Sequence, residues 1–135
     1  MKEAFVLDTC VWLWIANGDV RITSDIQGIL NDAEWLVSAI SVWEVAMLVT
    51  KKRIELNCPI ERWVDEALIR VPGIILAALS PDIAVASCHL HKCDHADPAD
   101  RIILATAIHH QATLVTADKK IIDYCKRHRL PVLEV

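Results

Sequence analysis

The amino-acid sequence predicts an α/β fold, a three-layer α/β/α sandwich built around a mostly parallel five-stranded sheet. Five short apolar runs are bounded by polar residues or turn formers, as buried strands are. These runs are residues 4–7, 35–39, 74–79, 113–116 and 131–135. The shortest interval between them, positions 117–130, holds 14 residues. An antiparallel hairpin needs only about two residues, so intervals of this length favour parallel strands joined by helices.

Length and composition indicate that residues 1–135 form one domain. Apolar residues make up 54% of the chain and charged residues 24%, which excludes a wholly disordered protein. No apolar run approaches the roughly 20 residues of a membrane-spanning helix, and the first residues lack the apolar core of a signal peptide. Five cysteines cannot all pair within one chain. We therefore expect a cytoplasmic protein that does not contact membranes.

Helix-start signals lie in the intervals between the predicted strands. Ser41 followed three residues later by Glu44 forms a capping-box pattern, which predicts a helix that starts at Ser41. Three prolines stand where a first helical residue would be: Pro59, Pro81 and Pro98. Two more helices are predicted over residues 23–30 and 118–126.

Four carboxylates are expected to converge at one edge of this sheet. The C-terminal ends of parallel strands meet the N-termini of the crossover helices at the edge where ligands bind in open α/β folds. Asp8 ends the first strand, and Asp118 lies two residues beyond the fourth. Glu44 and Asp100 fall in the predicted first turns of two helices. The topology therefore brings four acids from separate segments to the same edge.

Such a group of carboxylates predicts a divalent metal site. Like charges at close range raise each other's pKa values, and a hard cation relieves that repulsion. Oxygen ligands suit Mg²⁺, with Mn²⁺ as a substitute, and such ions activate water and stabilise the leaving oxygen of a phosphodiester. Fourteen Lys and Arg face eighteen Asp and Glu, a net charge of −4 that by itself argues against a nucleic-acid substrate. If four of the acids are metal ligands, fourteen acidic and fourteen basic residues remain. The net charge then no longer argues against a nucleic-acid substrate.

Structural explanations of the same acids also remain open. Asp97 stands where it can cap the helix that starts at Pro98, and Asp118 can cap or open the last helix. Glu44 can be simply the second member of its capping box. Only Asp8, at the end of a strand, has no obvious cap to make.

Four segments of the chain resemble the PIN domain family, and more narrowly the VapC toxins of type II toxin–antitoxin modules. The segments are Val6-Leu7-Asp8-Thr9, Ser41-Val42-Trp43-Glu44, His95-Ala96-Asp97-Pro98-Ala99-Asp100-Arg101 and Leu114-Val115-Thr116-Ala117-Asp118. A strand followed by Asp-Thr is a weak signal alone, but four segments in this order and spacing are a strong one. The resemblance implies a PIN-like, Rossmann-like fold.

The resemblance also implies an activity. It is that of a Mg²⁺-dependent endoribonuclease, usually a homodimer, held inactive by a VapB-like antitoxin whose tail enters the active-site groove. Asp8, Glu44 and Asp100 match the three most regular acids of the family, and Asp118 matches the more variable fourth. Further matches with supporting or substrate-binding roles are Thr9, Asp97, Arg101 and Thr116.

Basic and aromatic side chains predict further contacts. Lys119 and Lys120, directly after Asp118, are candidates for RNA phosphates, as is the cluster Lys51–Arg53 after the Glu44 helix; both can equally be solvated helix ends. Trp12 and Trp14 stand two apart on a predicted helix and point about 200° from each other. We expect one of them to need another neighbour, which a homodimer, an antitoxin or adjacent helices could provide.

Other functional readings of the sequence fit less well. A haloacid-dehalogenase-type phosphatase needs an acid where Cys10 stands, and a receiver domain needs Asp where Ser80-Pro81 follows the third strand. The stretch from Cys88 to His95 has zinc-ligand residue types, but the spacing is cramped and lacks a second half. Two alternatives stay open: a PIN nuclease of RNA maturation or decay without an antitoxin, and a module that binds RNA or a partner without cleaving it.

Overall fold

The computed structural model describes residues 3–93 and 97–135. Five strands form one sheet in the order β3-β2-β1-β4-β5, and every neighbouring pair is parallel. The strands are β1 Ala4–Leu7, β2 Glu34–Ser38, β3 Ile74–Ala77, β4 Thr113–Thr116 and β5 Val132–Glu134. The predicted α/β class and parallel sheet are confirmed, with β2, β3 and β5 differing from the predicted ranges by one or two residues at their ends.

Helices fill the intervals between the strands. They are α1 Thr9–Ala16, α2 Ser24–Leu30, α3 Ala39–Thr50, α4 Ile60–Val64, α5 Pro81–Cys88, α6 Pro98–His109 and α7 Lys119–Arg127, and a π-helical turn, Asp65–Ile69, continues α4. No helix in residues 3–93 and 97–135 is long and apolar enough to cross a membrane.

The central strand β1 separates two hydrophobic cores. Phe5 and Leu7 pack with α1, α3 and the π-helical turn, whereas Val6 packs with α6 and α7 on the other face. Alternate side chains of a strand point to opposite faces of its sheet, so β1 contributes to both cores. All three side chains are essentially inaccessible to water. The sheet is therefore covered on both faces, as the predicted three-layer arrangement requires.

The predicted start of α3 is wrong. The helix follows β2 without a loop, and Ser38 is its N-cap, with Oγ accepting a hydrogen bond from the backbone N–H of Ile40 at 3.2 Å. Ser41 and Glu44 therefore lie inside the helix and form no capping box. Pro59 is likewise the N-cap of α4 rather than its first residue.

The other helix-start signals are confirmed. Ser80 and Asp97 cap α5 and α6, and in both helices proline takes the first helical position. Thr23 caps α2, and Asp118 caps α7. These residues fit because a side-chain oxygen at the N-cap satisfies backbone N–H groups that have no partner inside the helix.

The tryptophans of α1 are covered by this chain itself. Trp12 is fully buried, its Nε1 donates to the backbone oxygen of Ala67 at 3.0 Å, and its ring meets Trp63 edge-on with centroids 4.8 Å apart. Trp14 is half-buried, and the guanidinium of Arg21 lies 4.7 Å from the centre of its ring. Each ring therefore has its neighbours within this chain and needs no partner protein to supply them. The tryptophan that remains exposed is Trp43, at 55%.

Replacing Trp12 with Phe is expected to lower the free energy of unfolding by about 1–3 kcal/mol. The variant loses packed volume and leaves the Ala67 carbonyl without its indole donor. Urea unfolding followed by circular dichroism measures the change. Trp14→Phe is the matched control and should cost clearly less because that ring is half-exposed; equal losses in the two variants would contradict the assigned packing.

Candidate active site

The four predicted acids all lie at the C-terminal edge of the sheet or in the helices that begin there. Asp8 follows β1 and Asp118 follows β4, and these two strands are neighbours. Asp100 lies in the first turn of α6, as predicted. Glu44 lies one turn deeper in α3 than predicted, because that helix begins at Ala39.

All four acids are near enough to Cys10 for their charges to affect its thiol. Cys10, in the first turn of α1, has a raised pKa, first because its thiol is desolvated and then because of nearby negative charges. Those charges belong to Asp8, Glu44, Asp100 and Asp118. The charges of all four carboxylates therefore act on one thiol group.

Asp8 is buried and held by two hydrogen bonds. Its side chain is almost out of contact with water, with the residue only 8% exposed. Oδ1 accepts from the backbone N–H of Thr9 at 2.8 Å, and Oδ2 accepts from Thr116 Oγ1 at 2.7 Å. The expectation that Asp8 has no cap to make is wrong, because it is the N-cap of α1. Thr116, the last residue of β4, fixes the carboxylate from the neighbouring strand.

The environment of Asp8 raises the pKa of its carboxyl group. Desolvation by burial is the largest cause, and the charges of Asp118 and Asp97 add to it. The hydrogen bonds from Thr116 and Thr9 favour the ionised form and offset part of this rise. Asp8 therefore ionises less readily than an ordinary aspartate.

Glu44 is connected to Asp8 through Thr9. The Thr9 hydroxyl donates to Glu44 Oε1 at 2.5 Å and lies 2.8 Å from Ser41 Oγ. Thr9 and Ser41 are both buried, so these contacts are shielded from water. The residue that follows Asp8 thereby fixes the orientation of a second acid on another helix.

Ser41 is a site residue that the sequence analysis misinterpreted as a helix cap. It is fully buried and contacts Thr9, which contacts Glu44. Residues three apart on a helix share a face, so the spacing of Ser41 and Glu44 is the signal that could have identified it. The correct start of α3 was needed to use that signal.

The pKa of Glu44 is also raised. Desolvation is the largest cause, the hydrogen bond from Thr9 opposes it, and the charges of Asp100, Asp8 and Asp97 raise it further. The mutual repulsion predicted for converging carboxylates is thus present in the folded protein.

Asp97 and Arg101, at the start of α6, make hydrogen bonds with backbone groups. Asp97 caps the helix, with Oδ1 accepting from the backbone N–H of Ala99 at 2.9 Å, as predicted. Arg101 Nε donates to the backbone oxygen of Ser87 at 2.9 Å, and a second guanidinium nitrogen donates to that of Cys93 at 3.1 Å. Arg101 therefore fixes the end of α5 and the segment that follows it.

Asp118 and the two lysines after it open α7. Asp118 Oδ1 accepts from the backbone N–H groups of Lys120 and Ile121, at 2.9 and 3.3 Å, so its capping role is confirmed. Its own N–H donates to Thr116 Oγ1 at 3.1 Å, which ties it to the hydroxyl that holds Asp8. Lys119 and Lys120 are exposed at this edge of the sheet.

The second basic cluster lies away from the acids. Residues 51–53 follow the C-terminal end of α3, and this helix of 12 residues is about 18 Å long. Because α3 starts at the C-terminal edge of the sheet, its last residues lie towards the opposite edge. The structure does not bring Lys51, Lys52 and Arg53 to the acidic site.

The acids fit a hard cation by their chemistry, although they are not drawn together as a ligand set. In residues 3–93 and 97–135, no three His, Cys, Asp or Glu side chains stand close enough to count as a metal-binding group. Within the described residues, each Asp8 oxygen accepts one hydrogen bond and retains a second lone pair. The donors are carboxylate oxygens, and neighbouring negative charges raise the pKa values of Asp8 and Glu44, a repulsion that Mg²⁺ would relieve.

The stretch with zinc-ligand residue types runs from Cys88 to His95. Its last two residues, Asp94 and His95, lie outside the described residues. Cys88 and Cys93 have free thiols, as do the other three cysteines of the chain.

Two comparisons of the sequence with known proteins point to the same family. Residues 5–127 match the model of the PIN domain family. The chain is 34% identical over 128 residues to Ribonuclease VapC22 of Mycobacterium tuberculosis, an alignment that covers 94% of this chain and 95% of that protein.

Solved structures share the fold. A chain in the crystal structure of VapBC2 from Rickettsia felis, bound to a DNA fragment from their promoter, superposes with a TM-score of 0.68 at 18% identity and covers 97% of this chain and 98% of that one. A toxin–antitoxin complex from Klebsiella pneumoniae gives 0.58 at 23% identity, covering 85% and 87%. With the family match over residues 5–127 and the curated relative at 34% identity, the chain belongs to the PIN domain family.

Proposed function

We propose that this protein is a metal-dependent endoribonuclease of the VapC toxin type, which cleaves RNA phosphodiester bonds and is neutralised by a VapB-like antitoxin. The observation that carries the proposal is the convergence of four acids, two of them with raised pKa values, at the C-terminal edge of a parallel sheet. The similarity to a protein named a ribonuclease supports the same activity.

The proposed metal ligands are Asp8, Glu44, Asp100 and Asp118. These residues would hold Mg²⁺, or Mn²⁺ in its place, and the ion would supply an activated water and positive charge for the leaving oxygen. A cation would also offset the repulsion that raises the pKa values of Asp8 and Glu44.

The neighbouring hydroxyl groups are proposed to position these acids. Thr116 and the backbone of Thr9 hold both oxygens of Asp8, while the Thr9 side chain holds Glu44. The helices α6 and α7 begin at this edge, where Asp97 and Asp118 accept hydrogen bonds from the backbone N–H groups of their first turns. Arg101 is proposed to act indirectly, through the backbone of the segment before α6.

We infer further that the protein acts in the cytoplasm as one PIN domain over residues 1–135. Complexes between toxin and antitoxin among the structures with this fold support an antitoxin partner. The 54% apolar composition supports a protein interface, and we propose a homodimer.

Cleavage of single-stranded RNA is expected to require a divalent cation and Asp8. EDTA should abolish cleavage, Mg²⁺ or Mn²⁺ should restore it, and Asp8→Asn should lower the rate by several orders of magnitude while the fold is retained. Gel analysis of end-labelled RNA measures the rate. Asp123→Asn is the control, since this aspartate is exposed on α7, and it should cleave at the native rate.

Two outcomes of the cleavage assay would contradict the proposal. Cleavage that persists in chelator after all metal has been removed would reject the metal-dependent reaction. RNA binding without cleavage under any metal condition would instead identify a module that binds RNA without cutting it. Full activity in cells that carry no antitoxin gene beside this one would favour a role in RNA maturation or decay.

Lys119 and Lys120 are proposed to contact RNA phosphates. In the double variant Lys119→Ala/Lys120→Ala, the plot of log affinity against log salt should become shallower by about 1.4, because two phosphate contacts to a single strand are lost. Fluorescence anisotropy in EDTA at several salt concentrations gives this slope. The matched control is Lys51→Ala/Arg53→Ala, which removes two cations beyond the C-terminal end of α3. The slope of this variant should equal that of the native protein. Identical slopes in the native protein and the first variant would reject the contact.

A further inference from the structure

An open groove of about 470 Å³ lies beside the acidic site. It runs between the N-terminal half of α3 and the start of α6. Most of its wall is apolar, from Ile40, Trp43, Met47 and Pro98, and two carboxylates, Glu44 and Asp97, also line it. Because Glu44 belongs to both, the groove is continuous with the proposed catalytic site.

Trp43 is the unusual member of this groove. It is 55% exposed, whereas the other four tryptophans are buried or half-buried. It stands directly before Glu44 on α3, whereas Val45, two residues further on, is buried in the core. A large aromatic ring left in water at the edge of a polar site is typical of a binding surface.

The chemistry of the groove fits a nucleobase. Proteins commonly bind single-stranded RNA by stacking its bases on aromatic side chains, while other, polar groups contact its backbone. Glu44 and Asp97 disfavour a phosphate or an acidic side chain in the groove, but they can accept hydrogen bonds from the amino groups of a base. A phosphodiester held at the acids would bring its adjoining nucleotide to Trp43.

We propose that Trp43 stacks on a nucleobase next to the scissile phosphate of single-stranded RNA, and that the groove is a substrate subsite. This inference rests on the proposed ribonuclease function and specifies how its substrate is held. The stacked base fixes the strand along α3, so that the adjoining phosphodiester lies at Asp8 and Glu44. Stacking is tolerant of base identity, and any preference comes from the two carboxylates at the groove.

Binding of a short fluorescein-labelled single-stranded RNA, measured by anisotropy in EDTA, tests the subsite without cleavage. Trp43→Ala should weaken binding by about 5- to 150-fold, the effect of losing one base–aromatic stack. Trp43→Phe should retain most of the affinity because it keeps an aromatic face. The salt dependence should not change, since no phosphate contact is lost. Ile108→Ala is the control: this apolar side chain is exposed near the far end of α6, and its removal should leave affinity unaltered.

Several results would overturn the subsite. These are native affinity in Trp43→Ala, equal losses in the Ala and Phe variants, or no RNA binding by the native protein. If light scattering shows that Trp43→Ala separates a dimer while RNA affinity is kept, the groove is an interface between copies instead. Native RNA binding that depends on Trp43, without cleavage in Mg²⁺, would support the subsite and reject the nuclease function, so the two failures are distinguishable.

Discussion

The rest of the site depends on one constraint. Carboxylates at the end of β1 and in the neighbouring helices are removed from water and repel one another. Asp8 is buried at the end of the central strand, and nearby negative charges raise its pKa further. Two hydrogen bonds, from Thr116 and from the backbone of Thr9, offset part of this cost. The remaining unfavourable energy is what the proposed cation would relieve.

The structural and functional explanations of the acids are compatible. Asp8, Asp97 and Asp118 each cap a helix at the C-terminal edge of the sheet. An N-cap carboxylate has a fixed orientation, and its oxygens keep lone pairs for another ligand. Capping therefore fixes the positions of these acids and is compatible with the proposed chemistry. Thr9 and Thr116 extend the same principle, because each hydroxyl connects one acid to a different element.

The sequence predicted the sheet well because buried parallel strands are short apolar runs and their long intervals exclude hairpins. The start of α3 was missed because Ser38 and Ser41 are both good caps, and no loop separates β2 from the helix to distinguish them. The exposure of the tryptophans was not predictable either. Helical periodicity gives the direction of Trp12 and Trp14, but their cover comes from distant residues, Ala67 and Arg21. For the same reason, the sequence alone did not identify Trp43 as the exposed ring.

Thermal stability as a function of pH, for the native protein and Asp8→Asn, tests the central electrostatic claim most directly. Because the folded pKa values of Asp8 and Glu44 are raised, the unfolded chain ionises first as pH rises above the ordinary carboxyl range, and stability is lost over that interval. In EDTA, Asp8→Asn should therefore gain in Tm relative to the native protein between acidic and neutral pH. Mg²⁺ should then raise the Tm of the native protein more than that of the variant. A Tm difference independent of pH, together with no larger Mg²⁺ effect on the native protein, would contradict the account.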